Sequence, residues 1–306
     1  MVMEQLQHYI LPVLLTGFAL LGIVISIALY LDYRKHRHQL EPNSWLKTGL
    51  IGFGTNFLDT LGIGSFATQT ALFKFLKQSE DRVIPGTLNV ANALPTVAQA
   101  IIYTQIVEVE PITLLLMLLA SVVGSYLGAG IVAKMPEKKI QFTMGFALLI
   151  TASFLVARAL GFMDTQGDVT GLQGTNLTIG VSVNFVLGAL MTAGIGLYAP
   201  CMALVAMLGM SGKTAFPIMM GSCAMLMPVA GLKFIKEGAY NRKASVAISI
   251  TGVFGVLIAA FIVKSLPVEY LRWLVVGVVI YTATVMLRSA FSEKPVRAKI
   301  TAELRH

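Results

Sequence analysis

The feature that most constrains this chain is a run of 44 residues, 169–212, without one charged side chain. A soluble core cannot bury an uncharged segment of this length, whereas a bilayer can. Charged residues make up 12% of the chain, about half of the roughly 25% that is typical of soluble domains. This composition excludes a soluble enzyme, a nucleic-acid-binding protein and a disordered protein. It predicts an all-α, polytopic integral membrane protein.

Uninterrupted apolar segments predict the membrane-spanning helices, because a helix needs roughly 20 apolar residues to cross a bilayer. Seven segments have about this length: 9–32, 84–105, 112–133, 140–161, 215–234, 245–263 and 268–287. Two other largely apolar stretches, 48–76 and 178–210, contain Gly-rich interruptions. We interpret each of them as a broken hairpin of two short helices. The sequence leaves open whether these hairpins cross the membrane or re-enter it.

The distribution of Lys and Arg predicts the orientation. The first apolar segment follows Glu4 and precedes Arg34, Lys35 and Arg37, which places the N-terminus outside and argues against a signal peptide. If both hairpins return to their own side, 19 of the 23 basic residues are cytoplasmic, the exceptions being Arg158, Lys213, Lys264 and Arg272. We therefore expect a multi-pass protein of the cell inner membrane with a cytoplasmic C-terminus. The net charge of +8 then reflects loops near the bilayer and not binding to nucleic acid.

An internal repeat is the most informative pattern. Residues 60–85 match residues 192–217 at a constant offset of 132, with a Gly-Ile-Gly core, a Thr two positions before it and a Pro 23 positions after its first Gly. The charge distribution gives the two copies opposite orientations. Inverted repeats with broken helices in corresponding positions are typical of secondary transporters. The alternative interpretation is a duplicated set of packing helices without a site.

The repeat predicts the organisation of the whole chain. Each repeat consists of a Gly-broken helical hairpin and three transmembrane helices, and one extra helix lies at the N-terminus. The predicted segments are an N-terminal helix with a basic loop (1–45), a first repeat (46–161), an outer loop (162–177), a second repeat (178–288) and a basic cytoplasmic tail (289–306).

The Gly breaks predict an anion-binding site. The second short helix of each hairpin begins near Ser65 and Leu197, where free N–H groups and the positive end of the helix dipole favour a small oxyanion. Polar side chains near the breaks complete the predicted site. The predicted substrate-binding residues are Gly62, Gly64, Ser65, Thr68, Gln69, Asn89, Asn92, Gly194, Gly196, Tyr198, Cys201 and Ser222.

Asp59 is the one acidic residue that we place deep in an apolar stretch. A carboxylate at that depth is a candidate for ion coupling, by a proton or a sodium ion. Asp is also a good helix cap, so the two interpretations are kept side by side. Its counterpart in the second repeat is Met191.

Enzyme chemistry and cofactors find no support in the sequence. The four His residues lie at the termini or in one loop, and the two Cys residues, Cys201 and Cys223, have no metal-binding spacing. We therefore predict no catalytic residues, no metal site and no cofactor. The expected partners are a small anion, a coupling ion and the lipid bilayer.

Two motifs, GFGTNFLDTLGIGSFA at 52–67 and GALMTAGIGLYAPCMALV at 188–205, resemble the sulfite exporter TauE/SafE family of membrane permeases. With the chain size and the number of spans, the resemblance covers roughly 46–288. It implies a permease for small sulfur-containing or organic anions, such as sulfite or sulfonates, coupled to an ion gradient. A passive channel for anions or water is the alternative. The sequence leaves open the substrate, the direction of transport and the number of chains that assemble.

Overall fold

The regular structure of this chain is helical, as the apolar segments predict. The computed structural model describes residues 2–162, 167, 169–261 and 268–291. The described helices are α1 (Val2–His36), α2 (Trp45–Thr60), α3 (Ser65–Leu76), α4 (Ile84–Ile106), α5 (Pro111–Val132), α6 (Glu137–Ala159), α7 (Gly174–Met191), α8 (Tyr198–Met207), α9 (Ala215–Lys236), α10 (Arg242–Phe261) and α11 (Val268–Phe291), with a 3-10 turn at Asp81–Val83. Lys264 and most of the predicted basic tail, residues 292–306, lie outside the described residues.

Six stretches of the described chain are long and apolar enough to cross a membrane: Tyr9–His36, Pro111–Val132, Glu137–Ala157, Gly174–Met191, Ala215–Lys236 and Arg242–Phe261. A polytopic membrane protein is therefore confirmed. The expected span 268–287 lies in α11 but is not among the six, and only Val279–Phe291 counts there as a shorter apolar helix. The expected span 84–105 is a helix throughout, but it is not among the six either. It carries buried polar residues, including Asn92 and Gln99, which lower its hydropathy and face protein.

The two helix breaks have the same backbone structure. In each, a Gly with positive φ follows the helix end, +82° at Gly62 and +97° at Gly194. Two hydrogen bonds close each turn in the Schellman pattern, which requires a left-handed residue at that position. The bonds are Gly62 N–H to Asp59 O (2.8 Å), Ile63 N–H to Leu58 O (3.1 Å), Gly194 N–H to Met191 O (3.0 Å) and Ile195 N–H to Leu190 O (3.4 Å). All four bonds obey the offset of 132.

Each broken segment starts and ends at the same end of the helix bundle. The Ser44 N–H, at the start of α2, donates to Oε1 of Gln78 beyond α3 (2.9 Å). The Ser211 N–H, beyond α8, donates to Val169 O ahead of α7 (2.9 Å). With 12 and 10 residues, α3 and α8 are only about 18 and 15 Å long. Since a crossing needs about 30 Å, α3 and α8 are too short to cross the membrane by themselves.

The contacts between helices come in corresponding pairs. Helix α2 packs on α10, and its counterpart α7 packs on α5. In the same way, α4 packs on α10 and α9 on α5, while α3 packs on α11 and α8 on α6. The remaining large interfaces, α4 with α9 and α6 with α11, join corresponding helices. Glycines allow the closest approaches: a Cβ at Gly124 would lie 2.0 Å from Phe185 O, and one at Gly255 would lie 2.3 Å from Phe53 O. Each half therefore makes the same contacts with the other.

The helices form two groups. A scaffold of α1, α2, α4, α5, α7, α9 and α10 forms a continuous set of interfaces. The pair α6–α11 meets this scaffold mainly through the short helices α3 and α8 and the turn at Asp81–Val83. The two short helices thus lie between the scaffold and the α6–α11 pair.

The loops meet at two opposite ends. At one end, Arg242 Nε and the Tyr240 hydroxyl both donate to Oδ2 of Asp32, at 2.7 and 2.6 Å. There too, Lys74 pairs with Asp81. At the other end, the Glu110 N–H donates to Thr170 O (2.9 Å). The loops rich in Lys and Arg therefore gather at one end, and which end faces the cytoplasm stays a prediction from charge.

Candidate substrate chamber between the helix breaks

A small chamber lies where the two helix breaks meet. Its walls come from both hairpins and from α6 and α9. The lining residues are Asp59, Ile63, Gly64, Ser65, Phe66, Ala67, Thr151, Met191, Gly196, Leu197, Tyr198, Ala199 and Met227. The volume is about 20 Å³, which is room for about one water molecule. An oxyanion would need the chamber to widen.

Some of the predicted site residues line this chamber and others lie outside its lining. The sequence prediction placed Gly64, Ser65, Gly196 and Tyr198 at the site, together with Asp59, and all five line the chamber. The remaining predicted residues are absent from the lining: Gly62, Thr68, Gln69, Asn89, Asn92, Gly194, Cys201 and Ser222.

The glycines at the two breaks are not equivalent. Gly64 has φ +93°, which L-residues rarely adopt, and no atom lies within 4 Å of a Cβ placed there. Gly196 is not among the described residues with positive φ, and a Cβ there would make an ordinary 3.7 Å contact with Phe66. The first break therefore requires glycine at position 64 for its backbone conformation, while the corresponding Gly196 of the second break can accept a side chain.

Asp59 caps the first short helix. One of its carboxylate oxygens, Oδ1, accepts the Ser65 N–H in the first turn of α3, and the residue is 2% exposed. Among the described residues, no side chain accepts from the first N–H groups of α8 as Asp59 does for α3, and Met191 occupies the position that corresponds to Asp59. A carboxylate thus neutralises the positive end of α3, whereas the corresponding end of α8 is left without a charge.

Gln99 links the two breaks, although it was not among the predicted site residues. Its Nε2 donates to Oδ2 of Asp59 (2.9 Å) and to Oγ1 of Thr60 (3.0 Å). Its Oε1 accepts the Tyr198 hydroxyl (2.6 Å). The side chain is fully buried. The one sequence signal was a polar residue within an apolar helix, and nothing nearby distinguishes it from the other polar residues of α4.

Gln69 and Asn92 form an amide clamp behind the first break. Gln69 Nε2 donates to Oδ1 of Asn92 (2.6 Å), and Asn92 Nδ2 donates back to Oε1 of Gln69 (2.8 Å). Thr55 and Asn56 join the clamp from α2. All four residues are buried, so the clamp fixes α2, α3 and α4 relative to one another.

The other predicted residues have local partners. Asn89 donates to Pro85 O (2.9 Å), and Thr68 donates to Ser65 O (2.9 Å). Ser222 accepts from Asn184 Nδ2 (3.0 Å). Cys201 is a buried free thiol. Within the described residues, no group of three or more His, Cys, Asp or Glu side chains is arranged to hold a metal ion.

Comparison with known proteins gives one family. The family described as Sulfite exporter TauE/SafE matches residues 4–155, so the resemblance is confirmed over this part of the chain. The match runs from α1 into α6 and includes the first helix break, Asp59 and Gln99. Members of this family are membrane transporters and not enzymes. No curated protein and no solved structure matches the chain.

Proposed function

This chain is a TauE/SafE family member over residues 4–155, and on that premise we propose that it is a secondary transporter for a small sulfur-containing or organic anion. The anion is sulfite, a sulfonate or a similar oxyanion. It crosses the cytoplasmic membrane by alternating access, coupled to an ion gradient. The observation that carries this proposal is the chamber whose walls come from both broken hairpins.

The chamber suits an anion held by neutral donors. Helices α3 and α8 both begin at it, and the first N–H groups of a helix have no partner within the helix. Leu197, Tyr198 and Ala199 bring such groups of α8 to the chamber wall. No Lys or Arg is among the lining residues. Helix dipoles and a tyrosine hydroxyl attract an oxyanion without the strong ion pair that would hinder its release.

The proposed inverted repeat is supported by three observations. The two breaks share the same Schellman turns at one offset. The hairpins close at loops that lie at opposite ends of the bundle. The large helix interfaces of one half have counterparts in the other. Inverted halves of this kind supply the two conformations that alternating access needs.

The size of the chamber favours alternating access over an open anion pore. At about 20 Å³ it excludes an oxyanion until helices move. The α6–α11 pair meets the scaffold mainly through α3 and α8, the helices that begin at the chamber. Tilting of this pair against the scaffold would open the chamber toward one end and then the other. A passive channel, the alternative function, would need a continuous open path.

Asp59 is the proposed coupling site. It is buried at the chamber, and ionisable residues at membrane depth commonly serve transport. A proton suits this carboxylate better than sodium, because its two oxygens accept from Ser65 and Gln99 and sodium would need several further oxygen ligands.

Flux into proteoliposomes tests the proposal. We expect saturable uptake of ³⁵S-labelled sulfite that an imposed pH gradient drives and that empty vesicles lack. Unlabelled sulfite inside the vesicles should accelerate labelled uptake by counterflow, which a transporter shows and a pore does not. Failure of a folded sample to move sulfite, sulfate or any sulfonate would overturn the proposal. Single-channel currents would instead support the channel.

A further inference from the structure

The side-chain amide of Gln99 lies between the two helix breaks and can form two alternative sets of hydrogen bonds. In the structure its Nε2 donates toward Asp59, and its Oε1 accepts from the Tyr198 hydroxyl. An ionised carboxylate is only an acceptor, so it requires the amide NH₂ on its side. The oxygen of Gln99 must then face Tyr198. This arrangement binds the Tyr198 proton to Gln99, and the Tyr198 hydroxyl also lies within hydrogen-bonding range of Asp59. The proton is then not available to a bound anion.

Protonation of Asp59 reverses these requirements. The Ser65 N–H continues to occupy Oδ1, so the added proton lies on Oδ2, where it faces Gln99. A donor on that oxygen needs an acceptor, which the Gln99 amide supplies by rotating so that Oε1 faces Asp59. The NH₂ then faces the Tyr198 oxygen, and the tyrosine must direct its own proton elsewhere. Thr60 loses one donor but keeps its bond to Asn56 O (2.8 Å).

We propose that Gln99 is a positioning residue that reports the protonation of Asp59 to Tyr198, and so turns the Tyr198 hydroxyl toward the anion only when the proton is bound. The inference rests on the proposed transport of an anion through this chamber. If Gln99 acts in this way, the proton and the anion bind together and cross together, whichever the direction of transport. The device is asymmetric, because Met191 takes the place of Asp59 at the second break and cannot be protonated.

Few other groups can titrate in this environment. The titratable side chains that face Asp59 are Tyr103 on α4, Tyr198 on α8 and Cys223 on α9. Phenols and thiols are ordinarily neutral at pH 7. On α2, α3 and α4, the described charged residues nearest in sequence, such as Lys47 and Lys74, lie at the far ends of their helices. Asp59 is the one carboxyl among these groups, and it is the group to which the proposal assigns the transported proton.

The test measures how much the Tyr198 hydroxyl contributes to binding at two pH values. Sulfite binding to the purified protein is compared between wild type and Tyr198→Phe at roughly pH 5 and roughly pH 8, within the range where proteins are usually stable. A hydrogen bond to a charged group is worth about tenfold or more in affinity. We expect Tyr198→Phe to weaken binding by about tenfold at the lower pH and by little at the higher pH. Direct repulsion between Asp59 and the anion cancels in this ratio. A sulfonate keeps one negative charge at both pH values, so the same comparison with a sulfonate removes the effect of sulfite's own titration.

The role of Gln99 is tested in a Gln99→Leu background, because the leucine side chain neither donates nor accepts hydrogen bonds. In it, Tyr198→Phe should weaken binding by the same factor at both pH values. Gln105→Leu is the matched control: Gln105 lies exposed on the same helix, bonded only to Ile101 O, and should leave the pH dependence intact. A purely structural role for Gln99 would change stability without changing this ratio.

Asp59→Asn keeps the test decisive if Gln99→Leu fails to fold. Because the Ser65 N–H occupies the amide oxygen, the introduced asparagine would present its NH₂ permanently to Gln99 and mimic the protonated state. Tyr198→Phe should then cost about tenfold at both pH values. An equal effect of Tyr198→Phe at both pH values in the wild-type background would overturn the relay and leave the transport function standing. Absence of sulfite binding and flux in every sample would instead contradict the proposed function.

Discussion

The hydroxyl of Tyr198 donates a 2.6 Å hydrogen bond to Oε1 of Gln99. Tyr198 is the first residue of α8 and Gln99 lies within α4, so this bond joins the broken hairpin of one half to a long helix of the other. Gln99 in turn donates to Asp59. The two helix breaks are therefore connected by side chains and not only by their shared chamber.

Alanine at the two chamber glycines should have unequal effects. Gly64→Ala forces a side chain into a left-handed conformation, which costs of the order of 1–3 kcal/mol and shifts the start of α3. Gly196→Ala should be tolerated, because its Cβ meets Phe66 at an ordinary distance of 3.7 Å. Thermal unfolding in detergent and sulfite flux measure both effects. Equal loss in the two variants would contradict the difference between the breaks.

A carboxylate at the second break should block anion transport. Met191 lines the chamber and corresponds to Asp59, so Met191→Asp would place a negative charge near the uncapped end of α8. We expect flux to fall by at least about tenfold, because two anions then compete for the same donors. Met191→Asn has the same shape without the charge and serves as the control. Similar flux in the two variants would argue against an anion site at α8.

The amide clamp should show strong energetic coupling. Gln69→Leu or Asn92→Leu alone removes the mutual bonds of the clamp and leaves the remaining buried amide only partly satisfied, by Thr55 or by Asn56, which costs about 1–3 kcal/mol. The double variant removes both amides and should cost less than the sum, with a coupling energy of about 0.5–3 kcal/mol. Unfolding of the three variants and the wild type completes the cycle. Strict additivity would show that the clamp contributes no mutual stabilisation.

The Ser249 hydroxyl should stabilise the protein only because Pro95 interrupts the hydrogen bonds of α4. The proline cannot donate to the carbonyl of Ala91 four residues earlier, and the Ser249 hydroxyl donates to that oxygen instead (3.0 Å). Ser249→Ala should cost about 1 kcal/mol. In a Pro95→Ala background the helix regains its own bond, so the same substitution should cost much less. A cost that does not depend on Pro95 would reject this account.

Tyr240 should make stability depend on pH in the alkaline range. Burial, and then its hydrogen bond to Asp32, raise the pKa of Tyr240 above its usual value of 10.0. Since the folded state holds the proton more tightly, the stabilisation is complete below about pH 10 and declines above it, by about 1.4 kcal/mol per pH unit. Tyr240→Phe should flatten this decline in unfolding measurements. An unchanged slope would assign the decline to other groups.

The positions of the two helix breaks could be predicted from the local sequence pattern. Gly-Ile-Gly predicted a break in each copy, and the structure places one at both positions, with α3 beginning at Ser65 and α8 at Tyr198. Breaks are local, since a glycine with positive φ closes the same Schellman turn wherever it follows a helix. Asp59 has two interpretations from the sequence alone. The structure shows that it caps α3 while also lining the chamber, and its coupling role stays a proposal.

The hydrogen-bond partners of the buried polar residues could not be predicted from the sequence pattern. Gln69, Asn92 and Gln99 are all uncharged side chains in apolar helices, and nothing in the sequence separates them. Gln69 and Asn92 pair with each other, whereas Gln99 reaches both breaks. The partner of a buried amide depends on contacts between residues that are 23 to 99 positions apart in the chain. The periodicity of the sequence does not predict such contacts.

The sequence by itself determined that this chain is a helical membrane protein, where its helices break, and which family its residues 4–155 match. These properties follow from composition, from glycine geometry and from short-range hydrogen bonds. Only the tertiary structure decided that each hairpin returns to its own end, that the two breaks share one small chamber, and that Gln99 connects them. Those depend on which helices pack together, because a side chain can only bind what the packing of distant segments brings within its reach.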